Sequence, residues 1–277
     1  MTFPQTRLTL IQRLAAGGAK EDWGAFLKDY WGPVCRFAMR FGAGNLDDAE
    51  DVASQAFEVL WAHRLLVRWV NHRSAKLRTL MCSVVRRILA NRGRAQANRQ
   101  RLAREVADSL RRTDVTSDEQ VDVFYAAWVE DVVHQAVESL AAEYYRRRKG
   151  DYVRVLYGRL CRGMTIAEVA EALKRKPSDV DNYYRHARAR LGERLETLLR
   201  EQIGRYCSEA ELAAEFQAEW DRLGEYLAEH GGLEEAVRRA YHSLDPIAAA
   251  ERRSSGIDRA MTRLTSVMRS GPESDLT

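Results

Sequence analysis

The stretch "DDAEDVASQAFEVLW", Asp47 to Trp61, sets Ala49, Val52, Ala53, Ala56, Phe57, Leu60 and Trp61 at intervals of three and four without a miss. An α-helix turns once in about 3.6 residues, so these side chains share one face. A strand would send them alternately to opposite sides and could not bury them together. Asp47 and Glu50 stand at the spacing of a capping box, which sets the expected start of the helix. The face turned away from the apolar stripe carries Glu50, Asp51, Ser54, Gln55 and Glu58, a polar and largely acidic stripe.

The same period recurs on both sides. From Trp23 to Phe41 it runs through Phe26, Leu27, Tyr30, Val34, Phe37, Ala38 and Phe41, and "GAGN" then breaks it. A third helix is expected from about Lys76 to Asn91, with Leu77, Leu80, Met81, Val84, Val85, Ile88 and Leu89 inside and Arg78, Arg86 and Arg87 outside. Only 5 prolines and 17 glycines interrupt 277 residues, and β-branched alternation is scarce. The chain therefore reads as all-α. Between the second and third helices, "HRLLVRWVNHRSA" mixes aromatic and basic side chains, a combination that stacks and clamps unpaired bases.

After Gly93 the pattern fades, and "RTDVTSDEQ", Arg112 to Gln120, is polar and acidic, as a linker would be. Helix is expected again from near Val121 to Leu140. Farther on, "DYVRVLYGRLCRG" ends at Gly163, a C-terminal stop signal. "TIAEVAEALKRK" opens on a Thr165/Glu168 capping box and offers Ile166, Val169, Ala170 and Leu173 to a core. A short turn leads into "PSDVDNYYRHARARL", where Ser178 and Asp181 spell another capping box and Arg185, Arg188 and Arg190 follow. This is the pattern of a helix-turn-helix whose second helix enters the major groove.

Beyond Leu199 lie three more apolar stripes. They are Leu212, Phe216, Trp220, Leu223 and Leu227, then Leu233, Ala236, Val237, Ala240, Tyr241 and Leu244, then Ile257, Met261, Leu264 and Met268. Charge is segregated. Seven arginines and no acid lie between Arg86 and Arg104, whereas Glu209 to Glu229 carries seven carboxylates and one arginine. Blocks of opposite sign suit separate partners, or halves of one chain that meet.

Cys35, Cys82, Cys161 and Cys207 are far apart, with no metal-ligand spacing, and read as buried thiols in a reducing cytoplasm. No signal peptide is expected at the N-terminus, and no run approaches the roughly 18 apolar residues of a membrane span. There is no glycine-rich phosphate loop, no "HExxH" and no nucleophile beside a base, so the chain is not expected to be an enzyme or to need a cofactor or metal.

In this order, the acidic "DAED" helix ending in "LW", the "LRTLM" helix leading to arginines, the acidic linker and "MTIAEVAEAL…DVDNYYRHARARL" resemble a bacterial RNA polymerase sigma factor of the extracytoplasmic-function class. The resemblance covers roughly Trp23 to Leu199. It implies two helical sigma domains, residues 1–95 and 126–203, joined by a flexible linker over 96–125, with a C-terminal helical extension over 204–277. Core RNA polymerase and promoter DNA are the implied partners, with an anti-sigma factor or another regulator as a further one. Asp48, Glu50, Asp51, Gln55 and Glu58 would dock on the clamp helices of the polymerase's largest subunit. Trp69, His72, Arg73, Lys76, Arg78, Arg86, Arg87 and Arg92 would engage the minus-ten element. Ser178, Asp181, Asn182, Tyr183, Arg185, His186 and Arg188 would engage the minus-thirty-five element. The linker would run through the polymerase's active-site cleft.

Several positions depart from the family's pattern. An aromatic residue usually stands where this chain has Leu80, an asparagine at Arg87, and a lysine and an arginine at Asp181 and Tyr183. Minimal members of the family lack the extension. An acidic helix tethered beside arginine-rich domains suggests built-in regulation, with a structural buttress or a docking site for another protein as the competing reading. Two rival functions stay open: a helix-turn-helix regulator independent of sigma activity, and a sigma-like protein-binding scaffold.

Overall fold

The computed structural model describes residues 9–71, 77–92, 118–243 and 246–270. Every regular element among them is helical, as the periodicity requires. The chain divides into two compact units, Met1–Trp128 with Arg253–Thr277, and Val129–Arg252.

The first unit is built from α1 (Leu10–Ala15), α2 (Lys20–Arg40), α3 (Leu46–Ala62), α4 (Leu65–Asn71) and α5 (Leu77–Asn91). Thr9 and Gln12 cap α1 reciprocally: the Thr9 amide donates to Gln12 Oε1 at 2.8 Å and the Gln12 amide to Thr9 Oγ1 at 3.3 Å. The apolar stripe of α3 is buried against α2 and α5, with Ala49, Val52, Ala53, Ala56, Phe57 and Leu60 inside as the spacing predicts and Trp61, its last member, only half-buried. Phe57 anchors it. Its ring stands edge-on to Phe26 at 5.7 Å and is stacked beside Trp31 at 6.3 Å. Leu80, which stands where the family pattern has an aromatic residue, is fully buried on α5. It belongs to the packing face.

Helix α6 (Asp118–Arg146) runs across the division between the units. Its early part completes the first core: Phe124 lies 5.4 Å from Phe37, and Arg40 Nη1 donates to the Val123 carbonyl at 3.4 Å. The end of the expected linker, from Asp118 to Tyr125, is therefore helical, whereas residues 93–117 lie outside the described residues.

In the second unit, α7 (Gly150–Leu156) continues into a π-helical turn, Tyr157–Cys161. At Gly158 the backbone passes so near Val169 that a Cβ would come within 2.9 Å of its Cγ2. Helix α8 (Ile166–Leu173) starts on the expected box, the Thr165 amide donating to Glu168 Oε2 at 2.7 Å and the Glu168 amide to Thr165 Oγ1 at 3.2 Å. It ends at Lys174, which takes the left-handed conformation at φ 53° and turns the chain toward α9 (Pro177–Tyr206). Val155, Val169, Ala170 and Val180 form the small core of this helix-turn-helix, with Ile166, Leu173, Tyr183 and Tyr184 packed around it.

Helix α9 passes the expected domain end at 203 without a break. Helices α10 (Leu212–Glu229) and α11 (Gly232–Ser243) then pack within the second unit, where Phe216 lies under the Arg200 guanidinium at 4.0 Å and Tyr241 meets Tyr157 at 5.8 Å. The last helix, α12 (Pro246–Ser270), crosses back, and from Arg253 it belongs to the first unit. The expected 204–277 block is thus shared between the two. The inward face of α12 is also rotated from the expected stripe. Gly256, Ala260 and Leu264 are buried, whereas Ile257, Met261 and Met268 are half-buried.

The Thr165→Ala variant should lose about 1 kcal/mol of stability, the usual worth of a helix cap. Urea unfolding followed by far-ultraviolet circular dichroism measures it.

Candidate functional site

The acidic helix begins differently from its sequence signature. The cap of α3 is Asn45, whose Oδ1 accepts from the Asp48 amide at 2.9 Å, and the expected Asp47/Glu50 box is not the one used. An asparagine preceding the first turn satisfies the same orphan donors. Asp48 then reaches back, accepting from the Gly44 amide at 2.8 Å, and pairs with Arg92 just past the end of α5. Arg92 Nη2 also donates to the Asp48 carbonyl at 3.2 Å. The Gly44 hydrogen bond holds the Asp48 carboxyl below the usual carboxylate range; desolvation opposes it, and the Arg92 hydrogen bond and charge add to the lowering. Asp48 and Arg92, expected to serve polymerase and DNA, hold each other.

The rest of the acidic face is open only at Asp51, which is exposed. Glu50 and Ser54, one turn apart on it, are buried, and Gln55 and Glu58 are half-buried. The cover is α12. Arg259 Nη2 lies 2.6 Å from Glu50 Oε2, and Arg263 lies 3.3 Å from Asp51 Oδ1 and 3.8 Å from Glu58 Oε1. Gly256 sits on Trp31, where an added Cβ would be 2.8 Å from Cζ2. Arg259 and Arg263 are not among the residues that the sequence pattern singles out. Their four-residue spacing, beside the small residues Gly256 and Ala260, is the signal that could have found them.

Of the residues expected at a minus-ten element, His72, Arg73 and Lys76 lie outside the described residues. Trp69, on α4, is half-buried. Arg78, expected to face outward, lies across Tyr125 and Trp128, its guanidinium 4.9 Å from each ring centre, and those rings stack at 5.5 Å. Arg86 and Arg87 are half-buried rather than fully outward. A guanidinium flat on aromatic rings gains cation–π attraction and loses freedom to follow a phosphate.

On α9 the cap residue is Lys176, with Pro177 in the first helical position, so Ser178 and Asp181 do not form the expected box. Proline suits that place because its missing N–H has no partner there in any case. Ser178 is exposed. Asp181 pairs with Arg185 at 2.8 Å, and Arg185 also donates to Asn182 Oδ1 at 2.9 Å. Tyr183 and His186 turn toward α7, with Tyr152 4.4 Å from Tyr183 and 5.4 Å from His186, and Tyr144 of α6 stacked on Tyr152 at 4.9 Å. Arg188 reaches α11, its Nε 2.6 Å from Glu234 Oε1. The expected contact residues share one helix, and most are engaged within the unit.

Beneath them, Glu143 of α6 is buried and surrounded by Arg147, Arg190 and Arg194. Burial pushes its carboxyl upward, but the three guanidinium groups outweigh this and its pKa lies below the ordinary 4.5. Burial pushes the Cys82 thiol up to about 12 and Cys161 to about 11, so neither is a ready thiolate. Among the described residues, no group of three or more His, Cys, Asp or Glu could hold a metal ion, and no helix is long and apolar enough to cross a membrane.

Comparison with family models, with curated proteins and with solved structures returns no match.

Because its folded pKa is depressed, Glu143 stabilises the second unit above its unfolded pKa near 4.5, and the contribution disappears as pH falls through the folded value. Glu143→Gln should flatten the acid side of the stability profile and lower stability at neutral pH, where three arginines lose their shared anion. Circular dichroism melting from pH 7 to pH 3 reads both effects.

Proposed function

We propose that this protein is a sigma factor of the extracytoplasmic-function class, which binds core RNA polymerase and directs promoter-specific initiation. The observation that carries the reading is an order. An amphipathic helix with a carboxylate-rich outer face precedes a helix-turn-helix with a capped first helix, a left-handed turn residue and a long arginine-bearing second helix. A DNA-binding regulator needs only the second of these. In the proposed role, Glu50, Asp51, Gln55 and Glu58 meet a basic protein surface, where charge complementarity speeds association. Arg185 and Arg188 meet phosphates or base edges upstream.

A second reading, a sigma-like protein-binding scaffold, draws on the second unit. Tyr183 and His186 belong to an aromatic cluster and Arg188 is paired with Glu234, which leaves fewer side chains to read bases.

In vitro transcription by core polymerase with this protein, followed by sequencing of transcript 5′ ends, separates these readings. Start sites sharing an upstream motif support the sigma factor. Core binding without defined starts supports the scaffold, and DNA binding without core binding supports the independent regulator.

Asp181 sharpens the DNA side. Its carboxylate holds Arg185, so Asp181→Lys should release that guanidinium and tighten promoter binding by the holoenzyme. The slope of log affinity against log salt should steepen by about 0.9 for each additional phosphate neutralised. Filter binding across a salt series measures it, and unchanged affinity and slope would show that residue 181 makes no difference to DNA.

A further inference from the structure

We infer that α12 is a built-in occupant of the acidic face of α3, standing where a basic partner surface would dock, so that core polymerase binds only when α12 leaves. The inference rests on the function proposed above and names the regulation of that same face.

The contact has the chemistry of the docking it replaces. Glu50 keeps only 10% of its side chain exposed, and a carboxylate so placed needs a cation or strong hydrogen bonds. Arg259 supplies them, and Arg263, one turn along, serves both Asp51 and Glu58. Residues four apart share a helix face, as do Glu50 or Asp51 with Glu58 two turns on, so the charges of the two helices register against each other. Three of the five side chains expected to meet polymerase are thereby paired with arginines from the chain's own C-terminal helix. A fourth, Asp48, is paired with Arg92.

The shape agrees with the charge. Gly256, Ala260 and Leu264 recur at four-residue intervals on the inward face of α12 and are all buried. Gly256 lets the backbone lie directly on Trp31, since a Cβ there would fall 2.8–3.0 Å from three atoms of the indole. Glycine is a poor helix former, and its place inside a 25-residue helix is accounted for by this approach.

The latch is also of a kind that opens. Arg259 and Arg263 keep 62% and 53% of their side chains in water, so both are solvent-screened and within reach of competing ions or carboxylates. A helix held by one leucine, two small residues and screened ion pairs yields to a partner that offers the same acids a larger basic surface. Within the second unit, considered alone, the extension shows the converse arrangement, with Glu234 of α11 facing Arg188 of the proposed recognition helix. Acid lies against the basic helix, and base against the acidic one.

The test uses the full chain. Arg259→Ala/Arg263→Ala removes the ionic part of the latch from exposed positions, and Gly256→Leu removes its close approach to Trp31. Thermal melting verifies that each variant is folded. Affinity for core polymerase is measured by fluorescence anisotropy, and hydrogen–deuterium exchange follows residues 46–62. Both variants should bind core about tenfold more tightly than the wild type, as expected when the binding-competent fraction rises about tenfold, and exchange over 46–62 should quicken. Arg269→Ala, on the same helix, should change neither. Equal core affinity for the wild type and both variants overturns the latch and leaves the sigma reading standing. Absence of core binding by the wild type and both variants overturns the sigma reading, and the latch with it.

Discussion

Phe57 fixes the orientation of α3, and most of what the first unit presents to its surroundings depends on that orientation. Its ring is wedged edge-on to Phe26 and beside Trp31, between small neighbours Ala53 and Ala56 that admit close helix packing. Large aromatic rings in a close-packed interior tolerate little rotation of the helix that carries them. With Phe57 inside, helical geometry turns Asp51 and Glu58 away from the core, while Glu50, two turns before Phe57, stays at the core's edge and is buried. The acidic face is therefore a consequence of the core. Trp31 contributes to both, stacking on Phe57 on one side and bearing Gly256 of α12 on the other.

The charges form a set of internal pairings that composition conceals. A net charge of +4, left over from 44 basic and 40 acidic residues, says little. Yet Asp48 with Arg92, Glu50 with Arg259, Asp181 with Arg185 and Arg188 with Glu234 each engage at least one residue that would otherwise be assigned to an external partner. Such pairs contribute modestly to stability where they are exposed. Their larger effect is on availability. A guanidinium already facing a carboxylate must leave it before binding a phosphate, so each pairing lowers affinity for the external partner without altering the chemistry of recognition.

What was legible in the sequence was whatever a single helix settles by itself. The stripe of α3, the span of α2, the end of α5 at Asn91 and the Thr165/Glu168 box depend on periodicity and on interactions within a few residues. Where the sequence misled, a contact outside the expected pattern decided. Asp47 stood as the expected cap, but Asn45 takes the role, its Oδ1 accepting from the Asp48 amide while Asp48 accepts from Gly44 and pairs with Arg92. Tyr183 and His186, which the family resemblance assigns to DNA, stand 4.4 and 5.4 Å from Tyr152, a contact that local spacing does not announce, and His186 is still exposed. Apolar periodicity shows that a face is amphipathic. It does not identify what covers the polar side.

The C-terminal helix shows why that distinction matters for function. Of its expected stripe, Leu264 is buried together with Gly256 and Ala260, while Ile257, Met261 and Met268 are half-buried. A rotation that buried Ile257 and Met261 fully would remove more apolar area from water and hold more firmly. The observed rotation gives up area and brings Arg259 and Arg263 over the acids of α3. Gly256 and Ala260 admit close approach but bury little surface, so beside Leu264 the interface takes its specificity from charge register. Such a balance suits a helix that must recognise one face of its own chain and still be displaced from it.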